Sequence, residues 1–406
     1  MMKKRCSVVF AVMLATAAPL SVAIAQTKAD ITIIKQGAAG KTGVDMSGMA
    51  VSGGQSAELF KRVLENDLAR SGFFTIIKEG GGSLKISGSC ADAGGALSVR
   101  CRVFGPIKSY MDRSYSETSA AARRLAHKVA DDIVWAVKNA RGIASTRIAM
   151  VGNVGGRKDI YVCDADGANL VRITNDGTPC LTPRWSPDGN SIVYTSMRNG
   201  FPDVYLIDMR TYERRRISDF PGLNSGAVFS PDGGTLALVL SKDGNPELYT
   251  MSLRGGRITR ITRTPRVAEA SPSWSPDGGR IVFVSNATGL PQLYMSDMTG
   301  NAKRIPLVGS ENVSPDWGPA GIAFCSRREG RYTICVLDPN TGRDEQITMD
   351  LSDHEDPSWA PDGRHIACTR TQGHHSDIYI LDTQKDPPIR LTTAQGEWYC
   401  PSWSPR

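Results

Sequence analysis

The chain has 406 residues, long enough for two domains, and a formal net charge of +7. Three of its 48 Lys and Arg residues lie in the first five positions, so 45 basic residues oppose 41 acidic ones in the remainder, a net charge of +4. Nucleic-acid binding requires a concentrated basic face, and this balance argues against it. We therefore predict no nucleic-acid partner.

The N-terminus has the pattern of an export signal. Lys3, Lys4 and Arg5 precede an apolar stretch at residues 7–18 that is too short to cross a bilayer, and Ala23 and Ala25 supply the small residues of a cleavage site. We predict a signal peptide at residues 1–25, cleaved after Ala25, and a periplasmic location. The alternative is an uncleaved amphipathic N-terminus. Later residues contain no apolar run long enough for a membrane span.

Eight cysteines follow the signal peptide, an even number for an oxidising compartment. Cys90 and Cys101 flank one predicted turn, and Cys325 and Cys335 flank another, so each pair is a candidate hairpin disulfide. The alternative is that all four are free buried thiols. The chain has no C-x-x-C spacing, which argues against a zinc site built from cysteines.

Residues 26–143 carry no repeat and predict a small α/β domain with two helices and a mixed sheet. Apolar residues at helical spacing, with a glycine after each segment, predict helices at residues 56–70 and 118–140. A short strand is predicted around Ile31, Ile33 and Ile34. Further strands are predicted at residues 73–77, 84–90, 97–104 and 110–115. The glycine-rich residues 37–54 are predicted to form a loop.

Residues 144–406 repeat one phrase, an aromatic residue followed by a tight turn. Five complete or altered copies begin at Trp185, Phe229, Trp274, Trp317 and Trp359, and the chain ends on the truncated copy Trp403-Ser-Pro-Arg406. The intervals between the aromatic residues are 44, 45, 43, 42 and 44 residues. A period of this length with β-type turns is typical of a propeller.

Each repeat predicts four strands separated by turns. In the phrase Trp-Ser-Pro-Asp-Gly, proline presets the first corner, the aspartate bonds back to the backbone, and glycine accepts the positive φ at the exit. The phrase is therefore interpreted as structural. Residues 147–174 supply three strands without a preceding Trp strand, whereas Trp403 lies in a Trp strand with no partners after it. The fold expected is an α/β N-terminal domain followed by an all-β six-bladed propeller, closed by N- and C-terminal strands.

A signal peptide, a two-helix α/β domain and a six-unit propeller that closes at its last residues together resemble the TolB family. These are periplasmic components of the Tol-Pal cell-envelope system of Gram-negative bacteria. The resemblance is strongest over residues 140–406 and includes the segment from Gly142 to Val151. It implies a non-enzymatic adaptor for outer-membrane integrity and constriction at division. It also implies that one propeller mouth binds the peptidoglycan-associated lipoprotein Pal, and that the N-terminal strand at Ile31, Ile33 and Ile34 binds TolA or folds back onto the propeller.

The loop that enters each inner strand should rim one mouth of the propeller. The fifth and sixth residues before each repeated aromatic residue are often polar or acidic, which indicates a partner-binding mouth. The alternative is that these are ordinary solvated loop residues. The candidates are Asn224, Glu269, Glu311, Asn312, His354, Glu397 and Trp398.

The rival interpretation is a secreted propeller enzyme, or a peptidase-associated propeller, acting on peptides or glycans. A serine hydrolase would need a Gly-x-Ser-x-Gly elbow, which the sequence lacks. Residues 353–356 are polar but consecutive, so they cannot converge on a metal unaided. Asp164 and Asp166 begin a calcium-loop pattern that has no downstream glutamate, so a hairpin turn is favoured. We expect a monomer with no enzymatic activity, no cofactor and no metal.

Overall fold

A computed structural model describes residues 40–78 and 81–405. The predicted signal peptide and the strand at Ile31, Ile33 and Ile34 lie outside the described residues. Within the described ranges, no helix combines the length and apolarity needed to cross a membrane.

The N-terminal domain is a five-stranded sheet with two helices packed against one of its faces. Both predicted helices are confirmed; each buries an apolar stripe, with Phe60, Val63 and Leu64 on the first and Leu125, Val129 and Ile133 on the second. The strand order is β2-β1-β3-β4-β5. The elements are β1 (Thr42–Ser52), α1 (Gln55–Arg70), β2 (Phe74–Ile77), β3 (Leu84–Ala93), β4 (Ala96–Phe104), β5 (Ser109–Thr118) and α2 (Ala122–Lys138), with a 3₁₀ turn at Ser119–Ala121.

The loop predicted at residues 37–54 is wrong, because β1 occupies most of it and lies inside the sheet. β1 pairs in parallel with both β2 and β3. Val44, Met46 and Met49 are buried, but the glycines and serines between them hide the strand alternation. A Cβ added at Gly48 would lie 2.9 Å from the Ser87 Cβ, so glycine permits the close approach of the two strands.

The six-bladed propeller is confirmed as six four-stranded sheets. Neighbouring inner strands contact one another around the ring. The inner strands are β9 (Cys180–Trp185), β13 (Asn224–Phe229), β17 (Glu269–Trp274), β21 (Asn312–Gly318), β25 (Asp353–Trp359) and β29 (Glu397–Trp403). The second strands are β6 (Arg147–Val154), β10 (Ser191–Ser196), β14 (Thr235–Leu240), β18 (Arg280–Ser285), β22 (Gly321–Arg328) and β26 (His365–Gln372).

Third and outer strands complete each blade. The third strands are β7 (Arg157–Asp164), β11 (Asp203–Asp208), β15 (Glu247–Ser252), β19 (Gln292–Asp297), β23 (Arg331–Leu337) and β27 (His375–Asp382). The outer strands are β8 (Val171–Arg172), β12 (Arg214–Ser218), β16 (Ile258–Arg260), β20 (Ala302–Arg304), β24 (Asp344–Gln346) and β28 (Ile389–Arg390).

Hydrogen bonds from one blade to the next tie the inner strands together. The residue before a repeated aromatic accepts a bond from the backbone N–H of the aromatic in the next blade. Four of the six junctions have this contact: Ser273 Oγ to Trp317 N at 2.9 Å, Asp316 Oδ2 to Trp359 N at 2.7 Å, Ser358 Oγ to Trp403 N at 3.0 Å, and Ser402 Oγ to Trp185 N at 3.3 Å. The serine that often precedes the tryptophan therefore has a structural role between blades.

The repeated turn has the predicted structural role. The Ser186 hydroxyl donates to Asp188 Oδ1 at 2.5 Å, and Gly189 has a φ of 69°. Ser230 with Asp232 and Ser275 with Asp277 repeat the bond. The hydroxyl donor and nearby backbone N–H groups lower the pKa of each aspartate, so the turn is stabilised by an ionised carboxylate.

Neither candidate disulfide is present, and the four cysteines are free buried thiols, which was the alternative; the strand register places other residues opposite each cysteine. Cys90 pairs with Val99, whereas Cys101 pairs with Gly88. Cys325 pairs with Ile334 and Cys335 with Phe324, so these two side chains point to opposite faces of their sheet. All four are buried and unbridged. Burial raises the pKa of Cys90 to about 11 and of Cys101 to about 12, so both thiols stay protonated.

The N-terminal domain packs against the end of the propeller where the inner strands finish. Arg364, in a turn at that end, donates to the Gly72 carbonyl at 2.9 Å and lies 4.8 Å from the centre of the Phe73 ring. Arg123 on α2 forms an ion pair with Asp166 in the turn after β7. Among the described residues, these contacts lie at that end and not at the other, where the inner strands begin. We call it the open face.

The ring closes between the two ends of the propeller sequence, as predicted. β29 pairs with β6, placing Trp403 opposite Ile148 and Tyr399 opposite Val151. The Trp403 indole N–H also donates to Thr146 Oγ1 at 2.7 Å. Closure leaves no inner-strand edge at this junction.

Deletion of residues 398–406 should abolish the cooperative melting transition of the propeller, because it removes most of β29 from its blade. Circular dichroism during heating would measure this. Deletion of Pro405 and Arg406 alone is the matched control and should leave the transition nearly intact, because both follow β29. An unchanged transition in the longer truncation would contradict ring closure by β29.

Candidate functional site

The predicted mouth residues lie at the open face, but most of their side chains are buried. Five of the seven are at most 2% exposed: Asn224, Glu269, Asn312, His354 and Trp398. Glu311 and Glu397 are half-buried. A partner cannot touch the five buried side chains without rearrangement, so their direct contact with a partner stays a prediction.

These buried side chains hold the open-face loops in place. Asn224 accepts hydrogen bonds from Ser218 Oγ and Phe220 N, and donates to the Phe220 carbonyl at 2.6 Å. The Trp398 indole N–H donates to the Ala394 carbonyl at 3.2 Å, and its ring packs edge-on against Tyr161. Each anchor therefore fixes the loop that precedes its own strand.

The two half-buried acids connect neighbouring strands. Glu311 accepts a hydrogen bond from Arg327 and another from the Tyr332 hydroxyl, each at 2.6 Å. Glu397 accepts one from the Asn153 amide at 2.8 Å. Both carboxylates are thus engaged within their own blades, at the edge of the open face.

Three consecutive blades each place one buried polar atom without a hydrogen-bond partner at the open face. The atoms are Glu269 Oε2, Asn312 Oδ1 and His354 Nε2, each without a hydrogen-bond partner among the described residues, although His354 Nε2 lies 3.6 Å from Asp350 Oδ2. Burial lowers the pKa of His354, so its imidazole is neutral near pH 7. An unpaired buried polar atom costs about 1–3 kcal/mol. Asn153 Oδ1 and Thr178 Oγ1, at the same end of two other blades, also lack a partner among the described residues, so such atoms are spread around the mouth.

Glu269 forms a carboxyl pair with Glu247. The Thr264 hydroxyl lies 2.7 Å from Glu269 Oε1 and 3.1 Å from Glu247 Oε2. Burial raises the pKa of Glu269 to about 7, and the nearby Glu247 charge adds to this. Burial also opposes ionisation of Glu247, but hydrogen bonds from Thr262, Thr264 and Arg260 keep its pKa below the usual value. Glu247 therefore stays ionised, whereas Glu269 gains or loses its proton near neutral pH.

Exposed apolar side chains stand on the loops around the open face. The largest exposed fractions are 74% for Met349 and 73% for Leu351. Sequence reasoning missed these residues because it considered only the loops' final positions. An isolated large apolar residue within a polar or glycine-rich loop was the available signal. The full set is Val154, Phe201, Leu290, Val308, Met349 and Leu351.

The propeller sequence matches the model of a known protein family. The family model described as "TolB beta propeller domain" matches residues 136–406. The chain belongs to the TolB family. The match covers the complete propeller, including both strands of the closing pair.

Curated TolB relatives extend the similarity into the N-terminal domain. The Tol-Pal system protein TolB of Bordetella avium is 34% identical over 385 residues, covering 89% of this chain and 86% of the relative. That of Xanthomonas oryzae pv. oryzae is 37% identical over 330 residues, covering 79% and 75%. The crystal structure of TolB from Acinetobacter baumannii superposes with a TM-score of 0.80 at 26% identity, covering 90% of this chain and 97% of that one.

Glu269→Gln should reduce the pH dependence of stability between about pH 5 and 8. The folded state holds the Glu269 proton up to about pH 7, whereas the unfolded chain releases it near pH 4.3. The free energy of unfolding that Glu269 contributes is therefore fully present below the pKa of Glu269 in the unfolded chain. It is lost as the pH rises through the pKa of Glu269 in the folded chain. The glutamine variant should lack this loss, which amounts to at most about 3 kcal/mol.

Urea unfolding at pH 5, 6, 7 and 8, followed by tryptophan fluorescence, would measure the difference. Glu345→Gln is the matched control, because the Glu345 side chain is 61% exposed. If Glu269→Gln and wild type lose the same free energy of unfolding from pH 5 to pH 8, the carboxyl at Glu269 does not titrate as described.

Proposed function

We propose that this chain is a non-enzymatic periplasmic adaptor of the Tol-Pal system. In this role it links a Pal-type outer-membrane lipoprotein to inner-membrane Tol proteins, and it supports outer-membrane integrity and constriction at division. Membership in the TolB family supports a role in the Tol-Pal system. The exposed apolar side chains of the open face support binding of the lipoprotein at that face. Export by a signal peptide cleaved after Ala25 accords with a periplasmic site of action.

The open face combines apolar side chains with loops that are fixed before binding. A partner that covers the exposed apolar side chains of these loops removes their apolar surface from water, which favours binding. Buried anchors such as Asn224 and Trp398 hold the loops, so less conformational entropy is lost when a partner binds. The predicted mouth residues thus contribute chiefly as supports beneath the contact surface.

The alternative function, a propeller enzyme acting on peptides or glycans, is less well supported at this face. Glu247, Glu311 and Glu397 are held by hydrogen bonds from their own blades. Among the described residues, one His/Asp group has metal-ligand spacing, and it lies at the domain boundary instead of the open face. Turnover of a peptide or glycan by the purified chain would favour the enzyme.

Leu290→Asp combined with Val308→Asp should weaken binding of a purified Pal-type lipoprotein domain at least tenfold. Leu290 lies in the loop between β18 and β19, and Val308 lies in the connection from β20 to the next blade. They are 52% and 66% exposed, and a buried carboxylate at either position would be unpaired in the complex. Isothermal titration calorimetry would measure the dissociation constant.

Tyr212→Asp combined with Met298→Asp provides the matched control. These exposed apolar residues lie in turns at the opposite end of the propeller, 53% and 37% exposed. This variant should bind the lipoprotein domain like wild type. Equal affinity of the Leu290/Val308 variant and wild type would contradict binding at the open face.

Deletion of residues 26–36 from the mature chain should abolish binding to the periplasmic domain of a TolA-type protein. The deleted segment contains Ile31, Ile33 and Ile34, whose alternation suits addition of a strand to a partner's sheet. A pull-down with the purified TolA-type domain would measure this. Lipoprotein binding by the same variant is the internal control and should persist. Retention of TolA-type binding would exclude this segment as the binding element.

A further inference from the structure

We propose that a divalent transition-metal ion binds at the domain boundary between Asp67, His127 and Asp166. One donor atom from each residue lies within 4.8 Å of the donor atoms of the other two. Mixed imidazole and carboxylate donors suit Zn²⁺, which is commonly held by three protein ligands and a water molecule. The proposal is independent of the partner-binding function at the open face.

The three donors come from both domains. Asp67 is on α1 and His127 is on α2, whereas Asp166 is in the propeller turn that follows β7. Asp67 and His127 are 5% and 4% exposed, and the Asp166 side chain is 7% exposed. An ion at this position would be shielded from solvent and would join the N-terminal domain to the first blade.

The imidazole of His127 lies between two carboxylates and is hydrogen-bonded to one of them. Its Nδ1 lies 2.6 Å from Asp67 Oδ2, and its Nε2 lies 3.8 Å from Asp164 Oδ2. Nε2 is buried and has no hydrogen-bond partner among the described residues. Whichever nitrogen binds the ion, the other can donate its N–H to a carboxylate. Histidine ligands of metals are usually oriented by such a contact.

The charges around His127 also favour a cation. Four carboxylates and two guanidinium groups lie at the boundary. Burial opposes the charged imidazole, but the carboxylates of Asp164 and Asp67 raise the pKa of His127 to about 9, so a divalent ion has to release the imidazole proton when it binds. Without that proton the boundary carries an excess of two negative charges. A divalent ion balances that excess. The carboxylates belong to Asp67, Asp131, Asp164 and Asp166, and the guanidinium groups to Arg70 and Arg123.

A small cavity lies beside the three residues. It has a volume of about 30 Å³ and is lined by Asp67, Asp131, Asp166 and Arg70, whereas His127 is not among its lining residues. Space for about one water molecule is enough for a bare ion. Tetrahedral zinc with bonds of about 2.1 Å places its donor atoms about 3.4 Å apart. Donor atoms up to 4.8 Å apart would have to approach one another, whereas Asp67 Oδ2 and His127 Nδ1, at 2.6 Å, would have to separate. Ion binding therefore requires the side chains at the domain boundary to rearrange.

Calorimetric titration of the mature chain with ZnCl₂ at pH 8 should detect one bound ion. His127→Gln and Asp166→Asn should each weaken binding more than tenfold, because each removes a ligand. Co²⁺ substitution provides a second readout, since a coordinated Co²⁺ ion absorbs visible light and both variants should lose that absorption. His375→Gln is the matched control: this histidine is 55% exposed beside Asp377 and should not affect either measurement.

Absence of Zn²⁺ binding by wild type would overturn the proposal, as would binding that both ligand variants retain. Loss of binding in His375→Gln alone would assign the ion to the surface pair instead. If His127→Gln fails to fold, Asp166→Asn decides the question, because Asp166 lies in a turn outside the helices and strands and asparagine keeps the shape of its side chain. Lipoprotein binding measured on the same variants keeps this test separate from that of the adaptor function.

Discussion

The pairing of β29 with β6 is the constraint on which the propeller depends. It joins segments far apart in sequence, and its Trp403–Thr146 hydrogen bond spans 257 positions. Such a contact carries a loop-closure cost that the local hairpins do not, although the cost grows only slowly with length. Closure lets every inner strand pack between two neighbours, and the hydrogen bond between neighbouring inner strands forms at four of the six junctions, including both junctions of β29. The final copy of the repeat therefore completes the first blade.

Closure also explains why the mouth is built from buried supports and exposed loops. Each inner strand begins close to its neighbours, so a side chain at its first residues points into the protein and must find hydrogen bonds there. Asn224 satisfies its amide with its own loop, whereas Asn312 leaves its carbonyl oxygen unpaired. Polar residues therefore recur at the start of the inner strands because the blades pack in the same way around the ring. The surface that a partner can contact consists instead of exposed loop residues such as Leu290 and Met349, which do not recur at equivalent positions in the other blades.

The sequence could predict the features that repeat and those that depend on local spacing. The 42- to 45-residue interval predicted the blades, and the apolar stripe of α2 predicted that helix. The sequence pattern could not predict β1, because its Gly48 permits close approach of β3, a strand distant in sequence. It also failed for Cys325 and Cys335, because a one-residue difference in register moves a side chain to the other face of a sheet. Burial at the mouth depended on the curvature of the ring, which one repeat does not reveal.

The attachment of the N-terminal domain gives the propeller two unlike ends. Its contacts are strongly polar: Arg123 pairs with Asp166, Arg364 binds Gly72, and His127 lies between carboxylates of both domains. Buried charges of this kind contribute little net stability, because desolvation offsets much of their attraction, but a geometry that mispairs them is costly. The polar contacts at the boundary therefore select one orientation of the N-terminal domain on the propeller and contribute little to the free energy of unfolding. Within the described residues, that orientation covers part of the end where the inner strands finish, so the loops of the open face are the more accessible surface for a large partner.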